Sequence, residues 1–336
     1  MTTYVFDFYN LYIPEGHQYE NQSNDIRIRP LAKAEEFEEK RREADSKYAE
    51  GDWKTAKCYI TAENEKEAQR RADWLTFFYS FAQRRRAYWD TYYPHNQGYD
   101  DKTTERVLIP RIKNDKLPII GGIGPLGLDK QDRFIDAALN RMENAGDAMR
   151  SDILSTLNLF LNSEARGLFA AKFLFAWIGI ERTSEWNYRE WVNLPGNEFI
   201  SSTERDAIED GISSVVDEAI DESRGETLID RFTRDHMYEH RTQDKILIYL
   251  DYIEPEFDEE EIYQLIRDGY RTRNDIAHEF GEDRLLDNHD LTFMLQKVLV
   301  FIIFDLLEIS SDLQKEMLLT LHDDPTVSYP DEDVTH

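Results

Sequence analysis

The stretch LFAAKFLFAWIGIERTSEW, residues 168 to 186, decides the fold class of this chain. It sets Phe169, Phe173, Trp177 and Ile180 at the three- and four-residue spacing that collects side chains on one face of a helix. The same spacing recurs on both sides, at Ile153, Leu154, Leu157 and Leu161 and again at Ile208, Ile212, Val215 and Ala219. Further helical segments are expected around 227 to 235, 242 to 253, 259 to 279, 290 to 309 and 311 to 322. From about residue 130 onward no segment shows the alternation of a strand. NLPGNE and IEPEFDEEE supply the breaks between helices, with Asp258 as an N-cap and Glu261 three residues on. No repeat of 20 to 50 residues is present, which argues against a solenoid.

Upstream the character changes. YVFDFYNLYI and WKTAKCYITA have the β-branched and aromatic content of strands, and RVLIPRI is a shorter third candidate. Between the second and third, residues 63 to 89 read as a helix, with Ala68, Ala72, Leu75, Phe78 and Tyr79 near one face. Residues 92 to 105 read as a polar loop and KLPIIGGIGPLGLD as a hinge. The expected fold is mainly α: an antiparallel helical bundle preceded by a small α/β domain. The boundaries are 1–125 for the α/β domain, 126–149 for a hinge and connecting helix, 150–322 for the helical domain and 323–336 for a mobile tail.

Composition narrows the setting. With 336 residues and 40% hydrophobic content the chain can build a real core. Its formal charge of −28 comes from 68 acidic against 40 basic residues dispersed along the whole sequence. Such a surface repels nucleic acid at moderate salt, yet at molar salt the screening length falls to roughly 3 Å and the repulsion becomes local. A salt-adapted, cytoplasmic setting accounts for this balance, and an ordinary acidic protein with a neutral or basic partner is the plainer reading. Cys58 is the only cysteine, so no intrachain disulfide forms and a cysteine-built zinc cluster is excluded. The first residues lack the pattern of a signal peptide. The most apolar run, residues 291 to 309, carries Gln296, Lys297 and Asp305, and reads as a buried core helix instead of a membrane span.

Three motifs carry chemistry. Gly122, Gly124 and Gly127 spell G-x-G-x-x-G, but a string of helices follows them and no second parallel strand closes a dinucleotide-binding unit; an interdomain turn is the simpler reading. HMYEH places His236 and His240 four residues apart, the geometry of a zinc-binding helix with Glu239 as general base. In so acidic a chain a Glu beside two His also arises by chance, so a metallopeptidase is kept as an alternative. The third is RDGYRTRNDIAHEFGE, residues 267 to 282, which gathers Arg267, Arg271, Arg273, Asn274 and His278. On a helix Asn274 and His278 lie one above the other, and Arg273 is offset from His278 by about 140°. Arg supplies a permanent forked cation, and His supplies a proton-transfer group near neutrality. Together they meet the needs of metal-free RNA cleavage, in which a base, an acid and a cation act on one phosphodiester. The plainer alternative pairs Arg273 with Asp275 or Glu279 and leaves His278 to cap the helix. QRRRAYW, residues 83 to 89, is a basic cluster with aromatic interleaving that suits a nucleic-acid backbone or a solvated helix face.

The segment LIRDGYRTRNDIAHEF resembles the R-x4-6-H motif, with a polar residue after the Arg, of the HEPN superfamily of small helical domains, in particular its ApeA-like branch. LFAAKFLFAWIGIERTSEW is similar to the family's earlier helix, which ends in an acidic residue, here Glu181; TQDKILIYLDYI and LDNHDLTFMLQKVLVFIIFDLL are similar to the helices flanking the motif. The likeness covers about residues 150 to 310. It implies a helical bundle that pairs as a homodimer, and a metal-independent, cofactor-free endoribonuclease of toxin or antiviral defence systems that leaves 2′,3′-cyclic phosphate. It further implies that Arg273 stabilises the scissile phosphate, His278 serves as acid and base, and Asn274 orients one of them, with Glu181 steadying Arg273 or Arg271. Glu279 departs from the small residue that many relatives carry after the His. Not every member cuts RNA, so a non-catalytic RNA-sensing or dimerisation module is the second expectation. RNA, a second copy of the chain and a defence or toxin–antitoxin partner are the expected partners; no membrane is.

Overall fold

The computed structural model describes residues 1–11, 13, 16–30, 54–83, 86–95, 128–164, 169–194, 197, 200–219, 240–253, 259–279 and 289–315. Helix dominates among them, with one small antiparallel sheet at the N-terminus. Packing divides the chain into two compact units: Met1–Ala176 with Leu299–His336, and Trp177–Val298. The sequence boundaries at 125 and 150 follow composition, whereas these follow contact, and they fall inside two long helices.

In the first unit, β1 (Thr2–Tyr9), β2 (Tyr19–Asn21), β3 (Ile26–Pro30), β4 (Lys54–Ala62) and β5 (Tyr88–Pro94) form a sheet in the order β2-β3-β4-β1-β5. Every pairing is antiparallel, so no crossover βαβ unit exists among the described residues. β1 is flanked on both sides and is buried continuously from Val5 to Tyr9, as a central strand must be. β3, next to the short edge strand β2, alternates Ile inward with Arg outward. Cys58 is buried in β4, and burial pushes its thiol well up, so it is no nucleophile.

Helix α1 (Glu65–Gln83) starts where the N-cap Asn64 Oδ1 accepts the Glu67 amide at 3.0 Å, while the Glu67 carboxylate accepts the amide of Glu63, one residue before the cap, at 3.1 Å. α1 packs against β4 and against α2 (Leu128–Asn144) and α3 (Asp147–Glu164). Phe81 organises this core. Its ring lies 5.3 Å from Phe134, 5.1 Å from Phe160 and 6.0 Å from Phe304, which joins α1, α2 and α3 to the end of α8 (His289–Leu306). A polar seam closes the same unit: Tyr19 and Asn21 both donate to Asp136 at 2.7 Å, and His17 Nε2 meets Asp132 at 3.0 Å.

Two expectations need correction here. The helix read over 63 to 89 ends at Gln83, and Tyr88–Pro94 is a strand, including the start of the expected loop at 92. The reason is aromatic pairing: Tyr88 stacks on Tyr9 at 5.0 Å and Trp89 meets Phe6 edge-on at 5.2 Å, contacts that only β pairing with β1 provides. These two aromatics of QRRRAYW therefore serve the sheet.

The second unit takes in most of α4 (Phe169–Val192) and α8, together with α5 (Ser202–Ala219), α6 (Thr242–Ile253) and α7 (Glu259–Glu279). α5 opens with a capping box in which Ser201 Oγ accepts the Glu204 amide at 3.3 Å and Glu204 accepts the Ser201 amide at 2.9 Å. The Ser201 hydroxyl, donating to the same carboxylate at 2.7 Å, and then the Ser201 amide hold the Glu204 carboxyl below its ordinary range. α5 is helical as its periodicity requires, but Ile208 and Val215, on the stripe expected to face a core, are exposed, and Val216 is buried instead. The apolar run at 291 to 309 is a core helix as read, with Leu295 and Val298 to Ile303 buried. Among the described residues no helix is long and apolar enough to cross a membrane. RVLIPRI, the glycine motif at 122 to 127, most of the hinge, Asp258, the segment 227 to 235 and the tail lie outside the described residues.

Candidate functional site

Helix α7 carries the Arg/His cluster, and its burial explains how the cluster divides. Ile262, Leu265, Ile266 and Gly269 form the buried stripe, while Tyr263, Arg267 and Arg271 are exposed. Arg273 comes four residues after Gly269 and so continues the buried face past the point where the apolar residues stop. It is half-buried, as are Thr272 and Asn274 beside it. Arg271, on the outer face, pairs with Asp268 at 3.7 Å.

Nη1 of the Arg273 guanidinium donates to Asn274 Oδ1 at 3.1 Å. Among the described residues the guanidinium forms no ion pair, with Asp275 or otherwise; the Glu279 carboxylate, the other partner that the plainer alternative names, lies outside them. A partly desolvated cation with unused N–H donors is the condition under which Arg binds an oxyanion strongly. His278 follows on the last turn of the same helix, about 7.5 Å further along its axis at the standard rise. Its side chain, like that of Glu279, lies outside the described residues.

Glu181 does not reach either arginine. Its Oε2 accepts the Trp177 indole N–H at 3.1 Å, one turn earlier on α4. Trp177 in turn fixes α7: its ring would lie 2.6 Å and 2.9 Å from a Cβ placed on Gly269, and it sits 6.4 Å from the Tyr270 ring. The acidic residue thus orients an indole, and the indole seats α7 four residues before Arg273. Trp177 and Gly269 are the positioning residues that sequence reasoning missed. A glycine inside a 21-residue helix was the available signal, since it costs roughly 1 kcal/mol against Ala unless a close approach requires it.

The second motif is divided. His236 and Glu239 of HMYEH lie outside the described residues, and His240 is described. His240 Nδ1 lies 2.7 Å from the Tyr188 hydroxyl on α4, and its ring meets those of Tyr188 and Trp191 edge-on. Burial, the largest cause, lowers the imidazole pKa; Asp244 opposes the shift. Beside it Lys245 bridges to Glu185 at 2.9 Å with its ammonium 4.9 Å from the Tyr188 ring centre. Among the described residues no group of three or more His, Cys, Asp or Glu is placed to hold a metal ion.

No known protein family, curated protein or solved structure matches this chain.

Proposed function

We propose that the chain is a metal-independent endoribonuclease of HEPN type, with Arg273 and His278 as its catalytic pair. The observation that carries this reading is the state of Arg273: half-buried, without a carboxylate partner among the described residues, and oriented by Asn274 on the helix that also bears His278. In the reaction the 2′-oxygen of a ribose attacks phosphorus as its proton passes to an imidazole. The bond from phosphorus to the 5′-oxygen breaks, and that oxygen takes a proton, leaving a 2′,3′-cyclic phosphate and a 5′-hydroxyl. Arg273 binds the phosphoryl oxygens and stabilises charge as it grows there. A second copy of the chain supplies the other imidazole. Pairing is favoured by apolar side chains that the second unit leaves exposed, among them Ile178, Tyr263 and Phe293.

The alternative, an RNA-sensing or dimerisation module without catalysis, draws on the charge of −28, which opposes tight binding of a polyanion except at high salt. Expression of wild type beside His278→Ala separates the two. Growth arrest with RNA fragments ending in 2′,3′-cyclic phosphate, lost in the variant and unaffected by EDTA in lysate, supports the ribonuclease. RNA capture without fragmentation supports the module, and fragmentation abolished by EDTA rejects the metal-independent mechanism.

A further inference from the structure

A cavity of about 220 Å³ opens in the second unit between the C-terminal half of α4 and helix α6. Its walls are aromatic and aliphatic: Tyr188, Trp191, Tyr249 and Tyr252, with Leu194 and Ile248. Asn187 and Glu190 are the polar side chains that line it. Tyr188 and Tyr249 are buried at 4% and 3% exposure, so two of the rings are rigid wall, while Tyr252 stands 72% exposed at the edge. Trp191 lies 6.0 Å from Tyr188, inclined at 31°, and its backbone carbonyl accepts the Asn197 amide at 3.0 Å.

Charge selects the occupant. No cationic side chain lines the cavity among the described residues, and the one charged group there, Glu190, has no ion pair. Lys245 and Arg189, neither of them a lining residue, share the Glu185 carboxylate at 2.9 Å and 3.3 Å. An anionic ligand would meet an unpaired carboxylate in a chain of net charge −28. A cation meets aromatic faces with their negative quadrupoles and a carboxylate to balance it. One ring of the set is already used in this way, since the Lys245 ammonium sits over Tyr188. The volume exceeds the roughly 150 Å³ that holds a benzene-sized guest, which is room for a branched cationic head and a short arm.

We propose that this cavity binds a small organic cation with an N-methylated ammonium head, held by Trp191, Tyr249 and Tyr252 and balanced by Glu190. The site shares no residue with Arg273 and Asn274, and stands whether or not the chain cuts RNA.

Calorimetric titration of the full chain with choline chloride tests it, with sodium chloride at equal ionic strength as the blank. The uncharged carbon isostere 3,3-dimethylbutan-1-ol and adenosine 5′-monophosphate form the comparison arms. Saturable choline binding is expected, with the neutral isostere weaker by roughly tenfold and the nucleotide weaker still. Glu190→Gln and Tyr252→Ala, both at exposed side chains, are each expected to weaken choline by roughly three- to tenfold while leaving the unfolding transition in place. Absence of saturable choline binding overturns the proposal. So does equal binding of the isostere, tighter binding of the nucleotide, or affinity unchanged in both variants.

Discussion

The two units of this chain treat their apolar side chains differently. Among the described residues of the first, Met1 is the one large hydrophobic left exposed; in the second, Ile178, Leu194, Ile208, Val215, Tyr252, Tyr263 and Phe293 are 41 to 72% exposed. The first is organised around a sheet and the Phe81 cluster, which seal each other. The second is helical, and a helix whose apolar stripe is wider than its neighbours cover presents the remainder to solvent. Exposed apolar surface marks a site of association where it is contiguous. Among the described residues the first unit leaves less large apolar surface open than the second, and that difference is what supports the second unit as the surface of the pairing proposed above.

The sharpest way to break that contrast is to cut one large side chain from each unit. Phe81→Ala empties the centre of the first core and is expected to cost about 3–5 kcal/mol in urea unfolding. Tyr263→Ala, at an exposed position, is expected to stay within about 0.5 kcal/mol. Equal losses would show that the second unit is no less closed than the first.

Association sharpens the comparison. Tyr263→Asp with Phe293→Asp is expected to weaken self-association by roughly tenfold or more in sedimentation velocity, because charge replaces apolar contact in an already acidic surface. A chain that sediments as a monomer at every concentration, with or without these changes, would remove the exposed face as a pairing surface.

Gly269→Ala has a smaller effect with an informative sign. The added Cβ would meet the Trp177 ring at 2.6 Å, an overpacking cost of about 1–3 kcal/mol, while the helix gains roughly 1 kcal/mol from losing a glycine. Net destabilisation is expected. A stabilised variant would mean that the indole yields easily and does not seat α7.

The smallest effect is in pH. His240 has its folded pKa lowered, chiefly by burial, so below the unfolded value near 6.5 the unfolded chain binds more protons than the folded one. Stability is therefore expected to fall as pH drops through about 6.5 and to level off once the folded imidazole is also protonated. Urea midpoints across that range should show a shallower fall in His240→Gln.

The sequence was readable where a signal is local. The aromatic strands β1 and β4 follow from residue content, and α4, α7 and the apolar α8 follow from periodicity, because burial of one face imposes the period. β2 and β3 escaped because three residues, Tyr19–Asn21, and five, Ile26–Pro30, are too short to carry a pattern. β5 escaped because its aromatics extend the period of the preceding helix, and only pairing with β1 shows what they are for. At the candidate site, spacing alone puts Arg273, Asn274 and His278 on one helix. That Trp177 needs Gly269 is a contact between segments some ninety residues apart, which no local pattern encodes, and it is this contact that gives the short-range Glu181–Trp177 bond its purpose.

The Arg273 guanidinium, without a carboxylate partner among the described residues, is the group on which the proposed cleavage depends most. Purified wild type and Arg273→Ala, incubated with a defined RNA in EDTA at high salt, test it directly. Cleavage by the wild type that falls by roughly a thousandfold in the variant, with the unfolding transition unchanged, is the expected result. Cleavage at the wild-type rate without that guanidinium would contradict it.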